Sequence, residues 1–161
     1  MNIGAVPAKR FERYVKTAVD LGSIGYAHTP VAVQVHVAIF AVFGLSVDEF
    51  EVDPEALDEF LPRMLAGAPQ LHPLLDRYVE NLQETQEHFP AYAASAIITN
   101  TIQFVNSMLL DKHEQAVTVQ DKSLPYARYK RARNGLGEVF GFFVWDKINF
   151  PSAFLHAQVI A

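Results

Sequence analysis

The sequence predicts an all-α helical bundle, on three observations. Apolar residues recur at helical spacing in successive segments, prolines stand where helices begin or break, and one uninterrupted apolar run is long enough for a central helix. With 161 residues, half of them apolar and no cysteine, the chain can bury a core without disulfide or structural zinc, and residues 1–161 are read as one domain.

Met1 to Ala8 carries Gly4 and Pro7 but no apolar run of signal-peptide length, so no secretory leader is expected. From Lys9 to Leu21, Phe11, Tyr14, Val15, Ala18 and Val19 fall on one helical face, with basic and acidic residues between them. Gly22, Gly25 and Thr29-Pro30 are expected to break that helix, with Thr29 as the cap and Pro30 as the first residue of the next. Val31 to Val47 follows, 17 residues of which only Gln34, His36 and Ser46 are polar. Valines at 31, 33, 35 and 37 alternate as in a strand, and the run approaches membrane-span length, but its helical neighbours favour a buried central helix.

Beyond it, seven of the twelve residues 48–59 are acidic and none is basic. Pro54 starts a short helix to about Leu65, ended by Gly67 and Pro69. His72-Pro73 opens another to about His88, with Leu74, Leu75, Tyr78, Val79 and Leu82 as its apolar face. Pro90 breaks it, Ala91 to Leu110 forms a long helix, and residues 113–124 read as a polar loop. Pro125 restarts a helix that is basic first (Arg128, Lys130, Arg131, Arg133) and aromatic afterwards (Phe140, Phe142, Phe143, Trp145). Two mid-helix glycines cost about 1 kcal/mol each relative to alanine, so Asn134-Gly-Leu-Gly137 predicts a break there.

Composition excludes several functions. Without cysteine there is no thiolate zinc site, iron–sulfur cluster or cysteine nucleophile. The net charge of −5 offers no broad cationic field for a nucleic acid, which is not expected as a partner. No histidine has a glutamate three residues before it, which removes a ferritin-like di-iron site. Metalloprotease, serine-hydrolase and Walker motifs are absent. His36, alone on an apolar helix, is expected to be a hydrogen-bonded core histidine.

Two complementary features are left. Carboxylates at the C-terminal end of an apolar helix, where the dipole already favours cations, suit a hard divalent ion such as Mg²⁺, which takes one or two carboxylates plus substrate phosphates. On the basic helix, Arg128 and Arg131 are three apart on one face, and a guanidinium forks onto two phosphate oxygens. A helix broken at glycine would also leave free carbonyls facing the site. Together the two ends would clamp a diphosphate, although a solvated loop and a solvated basic face account for the same residues.

The stretch Pro125-Tyr-Ala-Arg-Tyr-Lys-Arg131-Ala-Arg-Asn134-Gly135-Leu-Gly137, with the aromatics to Trp145, resembles the fungal trichodiene synthase-like class I terpene cyclases. Leu65-Ala-Gly67, Leu71-His72-Pro73 and Thr101-Ile-Gln-Phe104 also sit where that family has similar residues. The resemblance implies a partial class I terpene synthase bundle, in which Arg131 senses diphosphate, Asn134 is the linker and the Gly135 carbonyl helps trigger ionisation. It further implies Mg²⁺ as cofactor, farnesyl diphosphate as substrate, a cytoplasmic location and an assembly that is often a homodimer. Phe40, Phe43, Phe104, Phe140 and Trp145 are candidates for an aromatic pocket, with core packing as their alternative role.

Aligned without gaps from Val35-His36, the family's Asp-Asp metal pair falls on Gly44 and Leu45; a slipped alignment uses Asp48, Glu49 and Glu51. The family's second metal motif is expected beyond residue 161, and its first helices before residue 1. Two other readings stand beside the cyclase: a non-catalytic remnant or helical interaction protein, and a membrane-associated protein anchored by Val31 to Val47, the latter disfavoured by the polar residues in that run.

Overall fold

The computed structural model describes residues 8–49, 52–114 and 124–151, which contain helices and no strand. Helix α1 (Ala8–Asp20) packs against α2 (Val31–Asp48), but only Tyr14 and Ala18 of its expected face are buried. Phe11, Val15 and Val19 are exposed, which corrects the broader predicted face. Gly22 does not break the chain either. A π-helical turn, Leu21–Gly25, carries it on, and Gly22 lies so close to α2 that a Cβ there would sit 2.5 Å from the Gln34 carbonyl oxygen. Thr29 is not the cap: its hydroxyl donates to the Tyr26 carbonyl (2.8 Å), while the Pro30 carbonyl accepts from Val33 and Gln34 and α2 starts at Val31. The competing local bond draws the threonine oxygen back into the preceding turn.

Helix α2 is the central helix expected, packed against α1, the π turn, α5 (Pro73–His88) and α6 (Ala91–Glu114). Both α2 and Ala91–Lys112 of α6 are long and apolar enough to cross a membrane, yet half of each window is buried inside the protein. His36 on α2 is the satisfied core histidine that was expected. The Asn81 amide donates to its Nδ1 (3.1 Å), and Thr85 Oγ1 lies 3.3 Å from Nε2, an arrangement that suits the neutral Nε2–H tautomer. Burial first, and then the His88 ring 4.9 Å away, push its pKa down to about 3.

The helix expected from Pro54 divides into α3 (Pro54–Asp58) and α4 (Phe60–Ala66), the latter ended by left-handed Gly67. His72 caps α5, its Nδ1 accepting from the Leu74 amide at 3.2 Å. Helix α6 runs four residues past the expected Leu110, and most of the predicted loop at 113–124 lies outside the described residues. Tyr78 of α5 meets Phe40, Phe43 and Phe60 at ring separations of 5.4, 5.4 and 6.2 Å. Phe143 joins the other end of the core through Phe40 (5.0 Å) and Phe89 (5.4 Å). Phe40, Phe43 and Phe104 are therefore core residues, fully or almost fully buried.

Candidate functional site

The last two described helices, α7 (Leu124–Arg133) and α8 (Leu136–Phe142), form the broken element that the sequence predicts. Lys130, Arg131 and Arg133 fill the last turn of α7, where the helix dipole favours cations. Gly135 makes the break, with φ +72° in the left-handed region, and a Cβ on it would stand 2.4 Å from the Asn100 carbonyl oxygen of α6. Conformation and close packing thus independently require glycine. Gly137 sits inside α8 with open space where a Cβ would be, so the break needs one glycine and not two.

Hydrogen bonds fix the corner. The Asn134 amide still donates back to the Lys130 carbonyl (3.1 Å), and its Oδ1 accepts from the Leu136 amide (3.4 Å). The Gly135 carbonyl accepts from both Glu138 and Val139 at 3.1 Å. The break therefore does not leave that carbonyl unshared, which corrects the expectation of a free one. On the far side of α8, Tyr26 donates to the Phe140 carbonyl (2.7 Å) and ties the broken element to the π turn.

Arg131 and Asn134 line a cleft of about 460 Å³, together with Lys130, Arg133 and Gly137 and with Ser107, Leu110 and Asp111 of α6. Across it, Lys130 forms an ion pair with Asp111. Arg133 stacks over the Tyr129 ring, 5.3 Å from its centre. Arg128, a turn earlier, is exposed and lies outside the residues that line the cleft.

The acidic end is adjacent but does not form the predicted triad among the described residues. Asp48 is the last residue of α2, and its carboxyl is pushed above the ordinary range by partial burial, by Glu49 and by Asp111. Glu49 instead turns toward Arg13 at 4.0 Å, and Glu51 lies outside the described residues. No group of three acidic or histidine side chains gathers at metal-binding distance among the described residues. Asp48 and Asp111, from different helices, are within electrostatic reach of each other, and both are hard oxygen donors of the kind Mg²⁺ takes. Asp48 also borders an apolar pocket of about 200 Å³ with Ala18, Gly44, Leu45, Leu136 and Phe140. Gly44 and Asp48, the residues from the two alignments, thus lie one turn apart on one pocket wall. Phe140 lines that pocket, whereas Trp145 packs edge-on against Phe150 at 4.9 Å.

Sequence reasoning missed Asp111 and Lys130 as site residues. Their one signal is that Ser107 and Asp111, four apart, share the face of α6 that meets α7.

A helical bundle with a glycine-broken basic corner over a charged cleft is the class that this geometry defines. The trichodiene synthase (TRI5) family model matches residues 2–161, and the chain belongs to that family. Terpene synthase 29 of Postia placenta is 27% identical over 154 residues, covering 94% of this chain and 45% of that protein. Terpene synthase BipA of Cochliobolus sativus is 30% identical over 151 residues, covering 92% and 46%. Trichodiene synthase of Stachybotrys chartarum is 25% identical over 146 residues, covering 90% and 38%. The chain thus spans less than half the length of these relatives.

Proposed function

We propose that this chain carries the diphosphate-binding half of a sesquiterpene cyclase, and that the complete site ionises and cyclises farnesyl diphosphate. What supports the reading most is that the corner at Gly135 holds Arg131 and Asn134 on one cleft with the Asp111 carboxylate of α6, which lies within electrostatic reach of Asp48 on α2. Family membership and relatives named as terpene and trichodiene synthases support it as well.

In this reading the Arg131 guanidinium forks onto two diphosphate oxygens and stabilises the charge that grows as the allylic C–O bond breaks. Asn134 orients the diphosphate, and Arg128, outside the cleft, adds long-range attraction only. Asp48 would hold Mg²⁺, with Asp111 within electrostatic reach and Glu49 and Glu51 as the further acids that follow in sequence. When bound, the ion neutralises leaving-group charge as a Lewis acid. The face of Phe140 is placed to attract the allylic cation. Lyase chemistry, a fungal source, a cytoplasmic location and a homodimer belong to the same reading.

Calorimetric titration of inorganic pyrophosphate with Mg²⁺ tests it. Saturable binding by the wild type, lost in Arg131→Ala, is expected; absence of binding by the wild type contradicts it.

One observation favours a second reading, that of a helical interaction protein. Val15 and Val19 of α1, Ile24 of the π turn, and Val31, Val35 and Ile39 of α2 are exposed. Concentration-dependent association in sedimentation, without pyrophosphate binding, would favour that reading over the first.

A further inference from the structure

The cleft beside the broken helix holds an ion pair that the diphosphate reading does not use. Asp111 of α6 and Lys130 of α7 face each other across the same cleft that Arg131 and Asn134 line. Both side chains are about one-third exposed, so a solute can reach the pair. A carboxylate in that position occupies a cation that stands one residue from Arg131, in the last turn of α7. We infer that Asp111 is a built-in counter-anion which an incoming diphosphate displaces from Lys130, so that Lys130 becomes a second diphosphate-binding cation beside Arg131. The inference rests on the diphosphate reading above.

Two physical arguments carry it. A diphosphate bears more charge than a carboxylate and offers more acceptor oxygens, so it outcompetes Asp111 for the lysine ammonium, a compact charge with three donors. The displaced carboxylate also has somewhere to go. Asp111 already lies within electrostatic reach of Asp48, whose carboxyl is held up in part by that like charge. A divalent cation held by Asp48 would turn this repulsion into attraction and so would favour release of Asp111 from Lys130. The same ion pair offsets the repulsion between Lys130 and its like-charged neighbours Arg131 and Arg133.

The test is calorimetric titration of inorganic pyrophosphate into the wild type and into the Asp111→Asn, Lys130→Met and Arg131→Ala variants, once in EDTA and once in Mg²⁺. Removing the internal competitor is expected to tighten Mg²⁺-free binding of Asp111→Asn by about fivefold, the worth of a partly exposed ion pair. Lys130→Met should weaken binding by a similar factor, and Mg²⁺ should strengthen binding less in Asp111→Asn than in the wild type. If the wild type binds while Asp111→Asn shows equal or weaker Mg²⁺-free affinity, the counter-anion role falls and the diphosphate reading stands. If the wild type binds no pyrophosphate even with Mg²⁺, the reading falls and takes this inference with it.

Discussion

Gly135 answers two demands at once, a positive φ and a contact with the Asn100 carbonyl that leaves no room for a methyl group. Gly135→Ala should therefore destabilise the protein by at least about 2 kcal/mol, combining left-handed strain with overpacking. Gly137→Ala should be neutral or stabilising by up to about 1 kcal/mol, because its Cβ would enter open space inside a helix. Urea unfolding of the two variants checks the pair, and equal effects would contradict the account of the break. His36 makes a second residue-level prediction. Its folded pKa of about 3 lies below the ordinary 6.5, so the unfolded chain binds a proton that the folded one excludes. That contribution is fully present above about pH 6.5 and is lost as pH falls, at about 1.4 kcal/mol per unit down to the folded pKa. Urea midpoints between pH 7 and 4.5 should fall steeply in the wild type and less steeply in His36→Gln. A raised pKa has the opposite sign, so the smaller Asp48 contribution opposes this loss.

Among the elements, the α7–α8 pair was the most legible, because basic residues, an Asn-Gly step and an aromatic run follow one another along the chain. The start of α2 was misread for a reason equally local: the Thr29 hydroxyl has an acceptor at Tyr26, and no rule of sequence decides between that acceptor and the helix amides. The exposed half of α1 was misread because periodicity reveals an apolar face and not what covers it. Asp111 carried only its spacing from Ser107, because its partners, Lys130 and Asp48, stand on other helices. The π turn shows what a close approach demands of an element. Gly22 lies against the Gln34 carbonyl, so Gly22→Ala should cost about 1–3 kcal/mol by pushing the turn off α2. A thermal shift of several degrees downward is the expected result, and an unchanged midpoint would show that the turn can yield.

At the scale of the whole molecule, the core and the candidate site occupy different parts of the bundle. Phe40, Tyr78, Phe104 and Phe143 fill the interior, while the charged residues of the candidate site lie along α6 and α7, with Asp48 of α2 within electrostatic reach of Asp111. All-α class, helix order and the central position of α2 were legible from spacing and prolines, since those signals are local and redundant. The lining of the candidate cleft was legible only in part, because Arg131, Asn134 and Gly135 stand within one motif whereas Asp111 joins them through the fold. The claim that joins the scales is that the corner at Gly135 is a diphosphate site. Amide NMR of the isotopically labelled chain, titrated with inorganic pyrophosphate and Mg²⁺, tests it most directly. The account predicts saturable shifts concentrated at residues 107–111 and 130–137 and at Asp48; shifts that are absent, or confined to the exposed apolar residues of α1 and α2, would contradict it.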